Sequence, residues 1–214
     1  MQHNNRIYYL RKIENQEKYS YEIGTVDPDT LDTNPLLTLQ EETVGEVGSQ
    51  FAVSPGGSPI ILLSEIDDQY QIILVAEQRV EKIIPLQLYN WKVWDFDDYL
   101  ELSLGGNTVY LLVYLRDEKN NSIRETGICA VPLDGGKTHC KGFLQSSTES
   151  IDGWLSMSLS PAGTELAVLA TWNNSLPEQY RGVYLIDLQN PDWPVTKIPV
   201  PQPAANSLPV REQP

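Results

Sequence analysis

Three turns of one kind, each followed at once by an apolar run, constrain this chain more than any other feature. They are Ser54-Pro55-Gly56-Gly57, Ser103-Leu104-Gly105-Gly106 and Ser160-Pro161-Ala162-Gly163, 49 and 57 residues apart. Ser at the first position, Pro at the second and Gly at the fourth suit a type I turn whose last residue is free to take a positive φ. Leu104 is compatible, because that turn accepts most residues at its second position. Asn5 lies 53 residues before Ser58, so the chain opens just after the place of a fourth turn.

Downstream of each turn the order repeats. An apolar strand comes first: "RIYYLRKI", "PIILLSEI", "TVYLLVYL" and "ELAVLATW". A polar connection leads to a second strand, "SYEIGTVD", "QIILVAE", "GICAVPLD" and "GVYLIDL". A short turn then leads to a third, "PLLTL", "VEKIIPL", "KTHCKGF" and "VTKIPV". The segments "SQFAVSP", "YLELSLG" and "WLSMSLS" precede the three turns and alternate as a strand that begins each unit. β-branched and aromatic residues dominate, as half-buried pleats prefer. The only segment of helical length, "VEKIIPLQLYNW", is broken by Pro85, at a cost of about 3 kcal/mol inside a helix.

Four short antiparallel strands in units of roughly 50 residues describe an all-β chain built as a β-propeller. One such sheet cannot cover both of its faces, and stacking blades around an axis buries each face on its neighbour. The units read as about 4–40, 41–87, 88–145 and 146–200, together a blade region 1–200, with the first lacking its opening strand. The segment 201–214 reads as a Pro-rich tail without regular structure, a poor closing strand. Fifteen strands leave three options open: a closed four-bladed ring, a partial propeller with blades missing, or a half-ring that pairs with another copy.

"SPGG…IILL…QIILV" and "SPAGTELAVLATWN…RGVYLIDL" resemble the Ser-Pro-Asp-Gly repeats of the TolB-like, or WD40-like, propeller family, and "GICAVPLDGGK" is similar to that family's strand–Asp-Gly-Gly–strand ending. The likeness runs from residue 5 to about 200. It implies a bacterial envelope setting and rings of six or more blades. The family's turn Asp is replaced here by Gly56, Gly105 and Ala162, so any contact made by that Asp is absent. Compartment is otherwise not fixed: "MQHNNR" has no signal-peptide core, and the chain reads as cytoplasmic unless an export signal was removed or lies outside this segment.

Charge narrows the partners. Fifteen Lys+Arg against 29 Asp+Glu give a net −14, which repels phosphate backbones and anionic lipid, so no nucleic acid is expected. No apolar run approaches the roughly 20 residues of a membrane span, so no membrane insertion is expected. Cys129 and Cys140 flank "AVPLDGGKTH". A two-residue turn at Asp134-Gly135 puts them opposite each other as a hydrogen-bonded pair about 5.5 Å apart, which a disulfide could just span. A three-residue loop puts them one step out of register, and two buried thiols are the alternative to a bond.

No catalytic, cofactor or metal set is read from the sequence. The two histidines, His3 and His139, sit at the chain start and on an outer strand, and "GGSPI" lacks the final Gly of a nucleophile elbow. Asp95, Asp97, Asp98 and Glu101 bunch in "WDFDDYLEL" but lack the spacing of a calcium loop. "LDGGKTH" is a hairpin turn with no helix after it, not a phosphate cradle. Aromatics among polar residues are more informative. In a propeller, the connections between second and third strands share one rim with those between blades. That rim would carry Asp67, Asp68, Tyr70, Trp91, Trp94, Arg116, Asp117, Trp172 and Asn173, a composition interfaces favour; packing of the tryptophans between blades is the alternative. The expected role is a non-enzymatic scaffold binding a protein or peptide through this rim. The rivals are the propeller part of a larger hydrolase or peptidase, and a carbohydrate or small-ligand module stacking on Trp91, Trp94 or Trp172.

Overall fold

A computed structural model of the chain describes residues 2–3, 6–15, 18–54, 56–93, 100–117, 122–146, 150–151, 154–171 and 176–198. Their strands form four antiparallel sheets, each threaded in chain order. The first holds β1 (Gln2–His3), β2 (Arg6–Asn15), β3 (Lys18–Val26) and β4 (Thr33–Gln40). After a single helical turn, α1 (Glu41–Val44), the second holds β5 (Glu46–Val53), β6 (Ile60–Ile66), β7 (Gln69–Ala76) and β8 (Arg79–Pro85). The third holds β9 (Lys92–Val93), β10 (Leu100–Leu102), β11 (Thr108–Arg116), β12 (Ile123–Pro132) and β13 (His139–Gln145). The fourth holds β14 (Trp154–Leu159), β15 (Glu165–Thr171), β16 (Gly182–Asp187) and β17 (Val195–Ile198). Among the described residues the sheets share no ladder with one another.

The repeated turn does what its residues require. Gly57, Gly106 and Gly163 each donate their N–H to the carbonyl of the Ser three residues earlier, at 2.7, 2.8 and 2.8 Å. They do so at φ of 83°, 67° and 70°, where a Cβ would be strained. The serine has a second task. Ser160 Oγ accepts from the N–H groups of Thr164 and Glu165, and Ser103 Oγ from those of Asn107 and Thr108, so the turn is tied to the first residues of the next strand. The turns after β3, β12 and β16 use Asx geometry instead, with Asp27, Asp134 and Asp187 accepting from the N–H two residues on.

Three separate apolar clusters lie between successive sheets, and alternate residues of one strand enter different clusters. Ile60 and Leu62 of β6, with Ile73 and Val75 of β7, face the first sheet and pack with Tyr8, Tyr21 and Ile23. Ile61 and Leu63, with Ile72 and Leu74, face the third and pack with Val109, Leu111 and Val113. The other face of that sheet, through Leu112, Ile128 and Leu144, packs with Leu166, Val168, Tyr184 and Ile186 of the fourth. Burial of both faces explains the continuous apolar run "IILL", and each fully buried Leu or Ile contributes about 1.5–3 kcal/mol. The last strand of each sheet is an outer edge: in β8 only Ile84 is buried. The opening strands β5, β10 and β14 run side by side, β10 against both others, which places them at the hub. These are blades of a propeller, and the sheet order and strand order match the repeat.

Three details differ from the sequence expectation. The first blade has an opening strand after all: Gln2 and His3 pair with Ile7 and Arg6, because the free inner edge of β2 accepts even two residues. The opening strand of blade three is split, with Val93 opposite Val113 and Leu100 opposite Leu111, so β9 and β10 flank the segment 94–99. Cys129 and Cys140 are opposite each other and bonded, but their Cα atoms are 4.0 Å apart rather than at hydrogen-bonded spacing. Their ladder stops at Ala130 opposite His139, and the connection beyond it is longer than the two-residue turn expected at Asp134-Gly135, its first bend closed by the Gly135 N–H on the Pro132 carbonyl. The tail 201–214 lies outside the described residues.

Candidate functional rim

The hairpins joining β6 to β7 and β11 to β12 emerge at the same end of the sheets as the connections between blades. Asp67 and Asp68 form the two-residue β6–β7 turn between paired Ile66 and Gln69, both at left-handed φ (51° and 60°) and both exposed. That turn matches the twist of the flanking strands, and Asp tolerates its conformation better than most residues. Tyr70 stands opposite Glu65, hydrogen-bonds to its carboxyl, and rests against the core between blades two and three. Burial, then the charges of Asp68 and Glu46, push the Glu65 carboxyl above the usual carboxylate range.

Beside it lies a cleft of about 460 Å³ lined by Lys18, Tyr19, Glu41, Glu42, Glu46 and Glu65. It sits where the β2–β3 hairpin, helix α1 and the end of β6 meet. Two lysines partly neutralise it. Lys12 Nζ lies 3.7 Å from Glu41 and 3.6 Å from Glu46, and 4.1 Å over the Tyr19 ring, while Lys18 Nζ lies 2.7 Å from Glu42. The hydrogen bond from Lys18 holds the Glu42 carboxyl below its ordinary value. Sequence reasoning missed this cleft. Its signal was present in "QEETVGEV", three glutamates in the connection between blades one and two, which belongs to the same rim.

On blade three the Arg116 guanidinium lies 5.1 Å over the Tyr114 ring, and Asp117 meets Arg124 at 3.6 Å. Asp117 also donates its N–H to the Ser122 carbonyl, closing the loop. A second cleft, of about 500 Å³, opens here between Leu115, Arg124, Glu125, Gln145 and Ser146. Trp91 behaves differently from the expected rim aromatic. Its six-membered ring lies over the backbone of Gly127, so close that a Cβ there would come within 2.9 Å, and it packs on the core between blades two and three. Trp193, not singled out by the sequence, is buried in the core between blades three and four, in the β16–β17 connection at the opposite end of the sheets, edge-on to His139 at 4.6 Å and to Tyr110 at 6.4 Å. Trp94, Trp172 and Asn173, and the acidic Asp95, Asp97 and Asp98, lie outside the described residues. The structure thus gathers Asp67, Asp68 and Tyr70 on blade two and Arg116 and Asp117 on blade three, and seats Trp91 as packing. Among the described residues no three His, Cys, Asp or Glu side chains form a metal cluster.

No family model and no curated protein matches the chain. Solved structures do. An acylaminoacyl peptidase in complex with Z-Gly-Gly-Phe-chloromethyl ketone superposes with a TM-score of 0.58 at 14% identity, over 92% of this chain and 31% of that one. The acylaminoacyl peptidase of Pyrococcus horikoshii gives 0.57, again at 14% identity with 92% and 31% coverage. TolB from Acinetobacter baumannii gives 0.47 at 12% identity, over 84% of this chain and 40% of TolB. The chain spans about a third of the length of the two peptidases it matches. At these identities the likeness speaks for fold alone, and that fold is the β-propeller.

Proposed function

We propose that this chain is a non-catalytic β-propeller scaffold that binds a protein or peptide through its loop-rich rim. The observation that supports it is the gathering on one rim of exposed Asp67 and Asp68, the Glu65–Tyr70 pair, and the carboxylate-lined cleft beside them. Rigid strands hold these groups, and loops grafted on a scaffold are where binding function resides. An acidic rim on a chain of net charge −14 favours a partner rich in Lys and Arg. Titration with a library of basic, neutral and acidic peptides tests this. Basic peptides bind, and Asp67→Asn with Asp68→Asn, which keeps residues that tolerate the left-handed turn, weakens that binding while leaving the melting curve intact. Equal affinity for acidic peptides would end the proposal.

A second reading rests on the superposition with acylaminoacyl peptidase, in which this chain corresponds to 31% of the longer protein. The chain would then be the propeller part of a larger hydrolase. A nucleophile elbow in sequence contiguous with this segment supports that reading, and sequence without one removes it. The resemblance to TolB-like repeats favours a bacterial envelope setting, and the Cys129–Cys140 disulfide is in keeping with an oxidising compartment.

A further inference from the structure

The connection between β12 and β13 is fixed at its two ends by different means. Its near end is held by the chain around it: Leu133 donates its N–H to the Asn107 carbonyl at 2.9 Å, and the Leu133 carbonyl accepts from Lys82 Nζ of blade two at 2.9 Å. Asp134 to Lys137 are exposed. The far end re-enters the sheet at His139, opposite Ala130, and the next row of the ladder is the disulfide, Cys140 opposite Cys129. A ladder frays from its open end, and this bond closes the row behind the last one. It therefore sets how firmly His139 is held.

Alternation along β13 turns Cys140 toward the core between blades two and three, and its two neighbours the other way. Both neighbours reach blade four. Lys141 Nζ donates to the Asp192 carbonyl, and the His139 ring meets Trp193 edge-on at 4.6 Å. Tyr110, Ala130 and His139 form one cross-strand row, and Tyr110 meets the same tryptophan at 6.4 Å. The row thus sets a small residue between two rings, and Trp193, 8% exposed, contacts the ring on each side of it. One wall of the Trp193 seat is the residue that the disulfide holds in the sheet.

We propose that the Cys129–Cys140 bond is a redox-sensitive strap on blade three, closed when oxidised so that His139 and Lys141 clasp the β16–β17 connection of blade four, and opened by a dithiol reductant. Cys140 is partly exposed and Cys129 fully buried, so a thiolate of the reductant attacks the Cys140 sulfur. The S–S bond breaks, Cys129 leaves as a thiolate that takes up a proton, and a mixed disulfide forms on Cys140. The second thiolate of the reductant then attacks its own sulfur in that mixed disulfide and releases Cys140, which is protonated in turn. Two electrons and two protons pass to the cysteine pair, and the reductant is left as a disulfide. The last rows of the β12–β13 ladder then fray, and Trp193 loses the His139 wall of its seat. Leu133 stays in place, because its bonds to Asn107 and Lys82 do not run through the cysteines.

Hydrogen exchange of the full chain, oxidised and after dithiothreitol in native buffer, tests it. Titration is expected to find two thiols in the folded, reduced protein. Exchange is expected to rise by about tenfold or more in residues 188–195 and in His139–Lys141, and to stay within about twofold in β3 and β7. His139→Ala with Lys141→Met, which leaves the bond intact, is expected to raise exchange in 188–195 to a similar level, and reduction of that variant then adds little there. The comparison of oxidised and reduced native chain stands without the variant. Unchanged exchange in 188–195 of the reduced protein overturns the proposal. Equal loosening of all four sheets overturns it too, since that is a global loss of stability, and so does a bond that yields its thiols only in denaturant.

Discussion

Removal of the Cys129–Cys140 bond gives a quantity the structure can supply in advance. The bond joins facing residues of β12 and β13 across a sequence separation of 11. Cys129 is fully buried in the core between blades two and three, and Cys140 packs against that core. Closing a loop of about 12 residues removes about 9.5 cal/mol/K from the unfolded chain, so the bond contributes about 2.8 kcal/mol at 25 °C in the chain-entropy description. For a chain of 214 residues unfolding with about 2.1 cal/mol/K per residue, the same loss lowers Tm by about 6 °C. The perturbation is the double variant Cys129→Ala, Cys140→Ala, which removes the closure without leaving a buried thiol pair. Urea melts followed by Trp fluorescence, beside thermal melts, read the difference. The midpoint falls with little change in slope, because the folded surface is the same. The unreduced protein, denatured and titrated with a thiol reagent, shows no free thiol. A stability change under about 0.5 kcal/mol, or two titrating thiols in the unreduced protein, refutes the reasoning.

Other expectations follow from single contacts. Gly127→Val drives a side chain against the Lys141 carbonyl and into the ring of Trp91, so it is expected to cost about 2–3 kcal/mol and shift Trp emission to the red as the ring is displaced into water. Ser160→Ala removes the acceptor for the Thr164 and Glu165 N–H groups and is expected to lower stability by about 1 kcal/mol in a denaturant melt. The Glu101 carboxyl, beside the hub, is pushed up by burial. Its folded-state pKa thus lies above its unfolded one, so its charge opposes folding above both values, and that cost disappears as pH falls below the unfolded value. Glu101→Gln is therefore expected to raise Tm at pH 7 and to leave it unchanged near pH 3.5, as melts at the two pH values would read.

The repeat could be read from sequence because its turn is chemically demanding: Ser160 supplies an acceptor and Gly163 a positive φ, and few other residues do both. Strand order followed from it, whereas the facing of Cys129 and Cys140 rested on a separate count outward from Asp134-Gly135 that left a three-residue loop open. What could not be read was direction. Ile60 to Leu63 have no alternation, so nothing in the residues says that Ile60 and Leu62 go to one neighbour and Ile61 and Leu63 to the other. The same ambiguity hid Trp91 and Trp193, whose size suits a rim and an interblade wedge equally, and only the small Gly127 beneath Trp91 decides between them. The acidic cleft was hidden for a different reason. Glu41, Glu42 and Glu46 come from one connection and the start of the strand it leads into, Glu65 from the end of β6, and their convergence depends on how blades one and two are set together.

That setting is the claim on which the rest depends, and hydrogen exchange on two neighbouring variants tests it. Leu62→Ala and Leu63→Ala each remove a buried side chain from β6, one from the cluster shared with blade one and the other from the cluster shared with blade three. Exchange of the native protein and both variants is followed strand by strand. Leu62→Ala is expected to speed exchange in β3 and leave β11 and β12 as they were, and Leu63→Ala to do the reverse. If both variants loosen the same strands, the sheets share one core, and the radial stacking of blades described here is wrong.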